Sequence, residues 1–451
     1  MPPRLKAILL GSTLAVAAVV IVTAGVLGMP DDSDRCARAS GETAIAACSR
    51  AIASDRWHGH DLAILHFNRA IEYSDKGEID RALADYDRSI ELDPAKPEAY
   101  NNRGRLWLDD KADPDRALAD FDQAVRLDPR DLDYVFNRAS AWEAKGDPDR
   151  AIADYARVIA IDPGHAPAFY NRAIIWARKG DLDRAIADDD AAIRLKPNDP
   201  RYYNNRGVDW LSKGEADRAV ADFDQAVRLD PKDPGYTYHR ARARQAQGYL
   251  DWAIDDYTRV IAIDPKHAKA YRNRGRIHRT NGDPDRALAD LAVALELDPN
   301  DAAARNGRGL VYQARGDLDR AIADFSAAIR LDPTEAAAFN NRCWTRAMAG
   351  RDLEQALADC TEALRLVPGD AEVMDTRGFV HLRLGRLDDA IADYDAVLKV
   401  NPRKVGSLYG RGIARLRKGD AAAGQADIAA ATAANATIAE EFARYGIRPE
   451  S

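Results

Sequence analysis

Residues 132–165 read LDYVFNRASAWEAKGDPDRAIADYARVIAIDPGH. From Leu132 to Ala144 the apolar positions recur at helical spacing, and Gly146 supplies a left-handed stop. Asp147 then stands as an N-cap, with Pro148 at the first helical position, where its missing N–H costs nothing. Ala151, Ile152, Tyr155, Val158 and Ile159 form one apolar face of a second helix, which Asp162-Pro163 ends. The stretch is two short antiparallel helices and a turn. Neither helix can bury its face alone, so packing against further copies has to supply the core.

Those copies are present. Pro94, Pro129, Pro163, Pro197, Pro231 and Pro265 begin a series that runs on to Pro402 at steps of 34 or 35 residues. Gly146, Gly180, Gly214, Gly248, Gly282 and Gly316 keep the same period. A fixed period of this length predicts a stacked array, which overrides the reading of 451 residues as about three domains. Eleven units start near Ala63, Pro97, Leu132, Ala166, Pro200, Pro234, Ala268, Ala302, Ala336, Ala371 and Val405. One residue is inserted near Asp109–Ala112 and another at Arg351–Gln355. The expected organisation is an N-terminal segment 1–30, a linker with a degenerate capping half-repeat at 31–61, the array at 62–435, and a capping helix and tail at 436–451.

The small residue Ala139, the aromatic Trp142, then Ala151, Tyr155 and Pro163 in a frame of 34 resemble the tetratricopeptide repeat. The resemblance implies an all-α, right-handed superhelical solenoid of about eleven helix-turn-helix repeats. It also implies that the first helix of each repeat lines a concave groove that holds peptide or protein segments.

The first thirty residues differ from the rest. Arg4 and Lys6 precede an uncharged run from Ala7 to Pro30, and Asp31, Asp32 and Asp34 follow it. As a helix, residues 7–27 would rise roughly 31 Å, enough to cross a bilayer. The charge asymmetry predicts a cytoplasmic N-terminus and an exported body. The alternative is a cleaved signal peptide ending near Val22-Thr23-Ala24. The expectation is thus a membrane-anchored protein with periplasmic repeats, or a secreted one. In that setting Cys36 and Cys48 are expected to pair, as are Cys343 and Cys360. Cys360 takes the position of Tyr155, and Cys343 takes the small-residue slot of the facing helix. Two buried thiols are the alternative.

Arg69, Arg103, Arg138, Arg172, Arg206 and Arg240, continuing to Arg411, precede the small-residue slot in all eleven units. Asp85, Asp120, Asp154, Asp188, Asp222 and Asp256, continuing to Asp427, stand at a matching point of every second helix. The pattern predicts a ladder of interhelical ion pairs that fixes register; a charged binding strip is the alternative.

No phosphate loop, nucleophile elbow or zinc-protease motif occurs. The eight histidines are dispersed, and even His58, His60 and His66 lack a ligand pattern, so neither a metal nor another cofactor is expected. Asp188, Asp189 and Asp190 are consecutive on a helix and do not face one another as a carboxylate dyad. Charged residues of both signs interleave at a net −8, which argues against a nucleic-acid partner. An enzyme with a small-molecule substrate is not expected.

Two groove features point to binding. Asn68, Asn102, Asn137, Asn171, Asn205, Asn273 and Asn341 share one position of the first helix. Their amides suit either the backbone of an extended peptide or a neighbouring helix end. Lys269, Arg272, Arg276 and Arg279 form a stripe, which Arg242 and Tyr238 of the preceding unit extend. That stripe is either an anion site for a carboxylate or acidic peptide, or a solvated face. Trp107, Trp142, Trp176 and Trp210 share a position read as packing core, which drifts to Arg244, His278 and Tyr312. The expected function is a non-enzymatic interaction scaffold on the outer face of a membrane. A soluble periplasmic adaptor and an accessory subunit of a polysaccharide or secretion machine are the alternatives.

Overall fold

The computed structural model describes residues 31–449. Among them are 25 helices and no strand. Asp32–Arg38 and Gly41–Ala53 form a short leading pair, twenty-two further helices follow in consecutive pairs along the chain, and Ile438–Arg444 closes the series. Every expected repeat falls on two consecutive helices; the third, for example, is the hairpin of Leu132–Lys145 with Pro148–Ile161. Chain contacts divide the molecule into two compact units, one up to Lys213 and one from Gly214. The boundary falls within the fifth repeat, after Pro200–Ser212 and before Ala216–Leu229.

The turns follow the local chemistry. Gly146 adopts φ 86° and stops the first helix, while the Asp147 side chain accepts from the Arg150 N–H to start the second. At the two insertions non-glycine residues take positive φ, Ala112 at 51° and Asp352 at 54°. The extra residue is accommodated there without losing the next helix.

Within a repeat, a large side chain of the second helix fills the space left by a small residue of the first. Tyr155 and Phe121 are fully buried. A Cβ added to Gly104 would approach the Phe121 ring to 2.9 Å, and one on Gly309 would come within 2.7 Å of Phe325. The small-residue slot is therefore steric, and an alanine there has to be matched by a shift of the ring.

The arginines and aspartates form the expected ladder. Arg138 donates from Nε to Asp154 Oδ2 at 2.8 Å and from Nη2 to Oδ1 at 2.7 Å, a two-point fork. Its remaining arm reaches back to Asp122 Oδ1 of the preceding repeat at 3.0 Å. Arg103, Arg240 and Arg411 repeat this arrangement with Asp87, Asp224 and Asp395. Each guanidinium thus joins the two helices of its own hairpin and ties that hairpin to its predecessor. Burial opposes ionisation of Asp85, but hydrogen bonds from Arg69 and His66 outweigh it and hold its pKa below the usual carboxylate value. His66 is consequently a buried member of the ladder, 2.7 Å from Asp85, and not a surface residue.

Cys36 is bonded to Cys48 and Cys343 to Cys360. The second disulfide fills the aromatic slot of the ninth repeat, linking its two helices. The final helix folds back along the first helices of the last repeats. Phe442 packs against Phe379 at 5.6 Å and Tyr409 at 4.9 Å, and Tyr445 meets Trp344 and Phe379 at 5.7 Å.

The expectation of a membrane-anchored protein with extracytoplasmic repeats is overturned: among the described residues no helix is long and apolar enough to cross a membrane. The longest, Gly59–Asp75, has 17 residues and carries His60, Asp61, Arg69 and Glu72. At 1.5 Å per residue it falls short of a hydrocarbon core of about 30 Å, and its charges would be stranded there. Residues 7–27, on which the anchor and signal-peptide readings rested, lie outside the described residues.

Candidate peptide-binding face

The sixth repeat opens with Pro234–Ala246 and the seventh with Ala268–Thr280. Tyr238 projects from the first of these helices into a ring stack, 4.8 Å from His267 and 5.9 Å from Tyr257. Asn273 of the next first helix donates to Tyr238 Oη at 3.2 Å and to Tyr257 Oη at 3.3 Å, so one amide pins two phenols. Burial lowers the pKa of His239 to about 4 and that of His267 below its ordinary value, leaving both rings neutral near pH 7.

Cations surround this stack. Arg242 and Lys269 are exposed, as is Arg276, and Arg279 is half-buried with its Nε unpartnered among the described residues. Arg242 and Arg276 come from successive repeats, yet both act electrostatically on the Tyr257 hydroxyl. The structure thus brings them to one locality. Arg272 differs from its neighbours in the sequence stripe: its Nη1 donates to Asp301 Oδ2 at 2.8 Å, and that aspartate is buried at the start of the next repeat. Arg272 is a link between repeats.

The asparagine position is occupied largely by internal bonds. Asn171 donates to Tyr155 Oη at 3.2 Å, Asn137 to Asn101 Oδ1 at 2.9 Å, and Asn341 to Asn306 Oδ1 at 2.9 Å. Asn102 bonds the Tyr86 phenol. The tryptophan position is half-buried, with Arg116 4.6 Å over Trp107 and Arg150 4.4 Å over Trp142. At the position where the series drifts, Arg244 reaches Asp256 at 2.8 Å, so an ion pair takes over the packing role.

One pair escaped the sequence reading. Asp189 does not face Asp188 or Asp190, but it meets Asp209 of the next first helix. Both are buried, and Asn205 donates to the two oxygens of Asp189 at 3.0 and 2.9 Å. Burial pushes the pKa of Asp209 up to about 7 and that of Asp189 well above the carboxylate range, with the other's charge adding to the rise at Asp189. The signal was available: acids stand at two positions that are apolar in most repeats.

Among the described residues, no group of three or more His, Cys, Asp or Glu side chains is arranged to hold a metal ion.

The model of the tetratricopeptide repeat matches residues 109–166, 162–200, 170–234, 204–268, 238–302, 272–336, 306–371 and 377–438, and a second TPR repeat model matches 71–107. The chain belongs to the tetratricopeptide repeat family, whose members are generally non-enzymatic scaffolds for protein–protein contacts. No curated protein matches its sequence. Among solved structures it is similar to the APC/C hetero-tetramer Cut9–Hcn1, at 16% identity and a TM-score of 0.49 over 85% of this chain and 83% of that one. A tetratricopeptide repeat protein from Parabacteroides merdae aligns at 21% identity and 0.44, over 55% of this chain and 98% of its own. YrrB, described as a TPR protein with an unusual peptide-binding site, aligns at 22% identity and 0.36, over 41% of this chain and 95% of its own.

Proposed function

We propose that this chain is a scaffold that takes an extended, acidic segment of a partner protein along the first helices of its sixth and seventh repeats. The observation that supports this reading is a group of cations with no internal partner. Among the described residues the side chains of Arg242, Lys269 and Arg276 make no hydrogen bond or ion pair, and they surround the neutral Tyr238–His267 stack. The chain has 73 acidic residues against 65 basic ones, and its ladder arginines are paired. An unpaired cationic locality in such a chain is suited to carboxylates brought from outside. The guanidinium forks of Arg242 and Arg276 would grip two side-chain carboxylates, while the exposed part of Tyr238 offers an apolar shelf between them.

The test is fluorescence anisotropy with a labelled decapeptide of alternating Glu and Ala. The paired substitution Arg242→Ala with Arg276→Ala should weaken binding about tenfold, ~1.4 kcal/mol, with an unchanged helical circular dichroism signal. Raising the salt should weaken wild-type binding too, since exposed charges are screened over about 8 Å at physiological ionic strength. Arg272→Ala serves as the contrast: its bond to Asp301 makes it a stability variant, so peptide affinity should hold while the melting temperature falls. Absence of binding by the wild type, or equal binding by the paired variant, overturns the reading.

A further inference from the structure

Elsewhere in the array the phenol of a second helix is met by the asparagine of the next first helix, as Tyr86 is by Asn102, Tyr155 by Asn171 and Tyr257 by Asn273. The tenth repeat breaks this rule. Tyr394 holds the phenol position, but Gly410 stands where the asparagine should be. The Tyr394 hydroxyl is buried and has no hydrogen-bond partner among the described residues. An asparagine could not be restored without movement, because a Cβ on Gly410 would lie 2.5 Å from that oxygen.

Tyr394 lines a cavity of about 470 Å³ between the first helices of the last three repeats and the C-terminal helix that folds over them. Its walls include the rings of Trp344, Phe379, Phe442 and Tyr445, and two carboxylates, Asp375 and Glu441, open onto it. Gly406 leaves the floor unobstructed: a side chain there would grow towards Asp375 Oδ2, 4.0 Å from the Cβ position.

The charges around this cavity do not balance. Asp375 accepts from Ser407 Oγ at 2.5 Å, and Lys404 Nζ lies 3.5 Å from its other oxygen. Lys404 is held more closely by Glu372, at 2.6 Å. Glu441 accepts from Asn435 and Thr437, both neutral. Arg444 is the cation that lines the cavity. Two carboxylates, Asp375 and Glu441, therefore line the cavity against Arg444, while Lys404 lies outside the lining and is shared with the exposed Glu372. Burial pushes the pKa of Asp375 up in spite of Ser407 and Lys404.

We propose that this cavity is a binding site for an organic ammonium group, with Asp375 as its counter-ion, the aromatic walls as cation–π partners, and the Tyr394 hydroxyl as a hydrogen-bond acceptor. An ammonium supplies the missing positive charge and the missing donor together, and its alkyl body suits the rings. A phosphate or carboxylate would meet two acids, and a purely apolar ligand would leave the Tyr394 hydroxyl unsatisfied. The site is separate from the cationic face of the sixth and seventh repeats, and each can fail without the other.

Isothermal titration of the full chain with n-butylammonium, and with n-butanol as its uncharged counterpart, tests the assignment. The ammonium should bind at least tenfold more tightly than the alcohol. Asp375→Asn should abolish that preference, and Tyr394→Phe should weaken ammonium binding severalfold. If Asp375→Asn fails to fold, Glu441→Gln replaces it, with a loss of severalfold expected. A blocked lysine amide used alongside identifies the source: tighter binding than n-butylammonium points to a lysine side chain of a protein, and weaker binding to a free amine. No binding of n-butylammonium at millimolar concentration, equal affinity for the alcohol, or variants that titrate like the wild type would overturn the proposal.

Discussion

The junction between the third and fourth repeats and the junction between the fourth and fifth share one backbone frame and differ in chemistry. In the former, Tyr155 is fully buried against an apolar cluster that includes Val158 and Ile175, and its phenol receives Asn171. In the latter, Asp189 occupies the position of Tyr155 and Asp209 that of Ile175, and Asn205 takes the place of Asn171. The asparagine keeps its task through the exchange, donating to a phenol in one case and to a carboxyl in the other. The buried apolar set shrinks to Ala166, Ala192 and Tyr202. A repeat thus fixes where side chains meet and leaves open what they are. Its stability is set junction by junction, as expected of an array in which each unit packs mainly on its neighbours.

Truncating the two equivalent residues should separate the junctions most clearly. Tyr155→Ala removes a fully buried ring and should cost about 3–5 kcal/mol, read by urea unfolding. Asp189→Ala at pH 8 removes a buried acid whose hydrogen-bond partners are Asn205 and the acid Asp209, and should be neutral or stabilising. If Asp189→Ala proves as costly as Tyr155→Ala, the carboxyl pair is a structural equivalent of the aromatic and the contrast collapses. The ninth repeat supplies a third filling of the same position, Cys360 bonded to Cys343 across a sequence separation of 17. Replacing both by alanine should cost about 3 kcal/mol, checked by the same unfolding measurement on the oxidised protein. A loss below about 1 kcal/mol would mean that packing, and not the cross-link, holds that repeat.

Much of this architecture was legible in the chain, because period, turn residues and the Arg–Asp match repeat often enough to average out local exceptions. Hairpin limits and the ladder follow from register, whereas the cysteine pairings rest on register together with an expected exported setting. The exceptions carry the site, and they depend on which residue of one repeat meets which residue of the next. Arg272 reads as one member of a four-residue basic stripe, yet its bond to Asp301 crosses 29 residues and removes it from that stripe. Asp189 reads as one of three consecutive acids, and its partner lies 20 positions on in another helix. Comparing each repeat position across all units would have exposed Asp189, Asp209 and Gly410 as departures; inspecting each helix by itself could not. The final helix lay beyond that method, since a non-repeating segment has no register from which its docking on Phe379 and Trp344 can be read.

The same junction carries a pH dependence, and its sign follows from the direction of the shifts. Burial raises the pKa values of Asp189 and Asp209, with the charge of Asp209 adding to the rise at Asp189 and with Asp209 near 7, whereas an unfolded aspartate titrates at about 3.9. Between those values the folded junction holds a proton that the unfolded chain has released. Stability at this junction is therefore highest at or below about pH 4 and declines as the pH rises towards 7, at ~1.4 kcal/mol per pH unit for each proton held. The decline ends only once both carboxyls have ionised in the folded state as well. The Arg-paired carboxylate Asp85 has the opposite sign: its pKa is depressed, so its contribution is present at neutral pH and fades in acid. A whole-chain melt would mix the two, and the measurement has to be local. Hydrogen exchange of the amides in 182–212 should show protection falling from pH 5 to pH 7 after correction for the intrinsic exchange rate. Asp209→Asn, which keeps the shape and cannot ionise, should flatten that profile while leaving the exchange of 132–161 unaltered. A profile equally steep in the variant would mean that the two carboxyls do not share their proton and that the fourth junction behaves like the third.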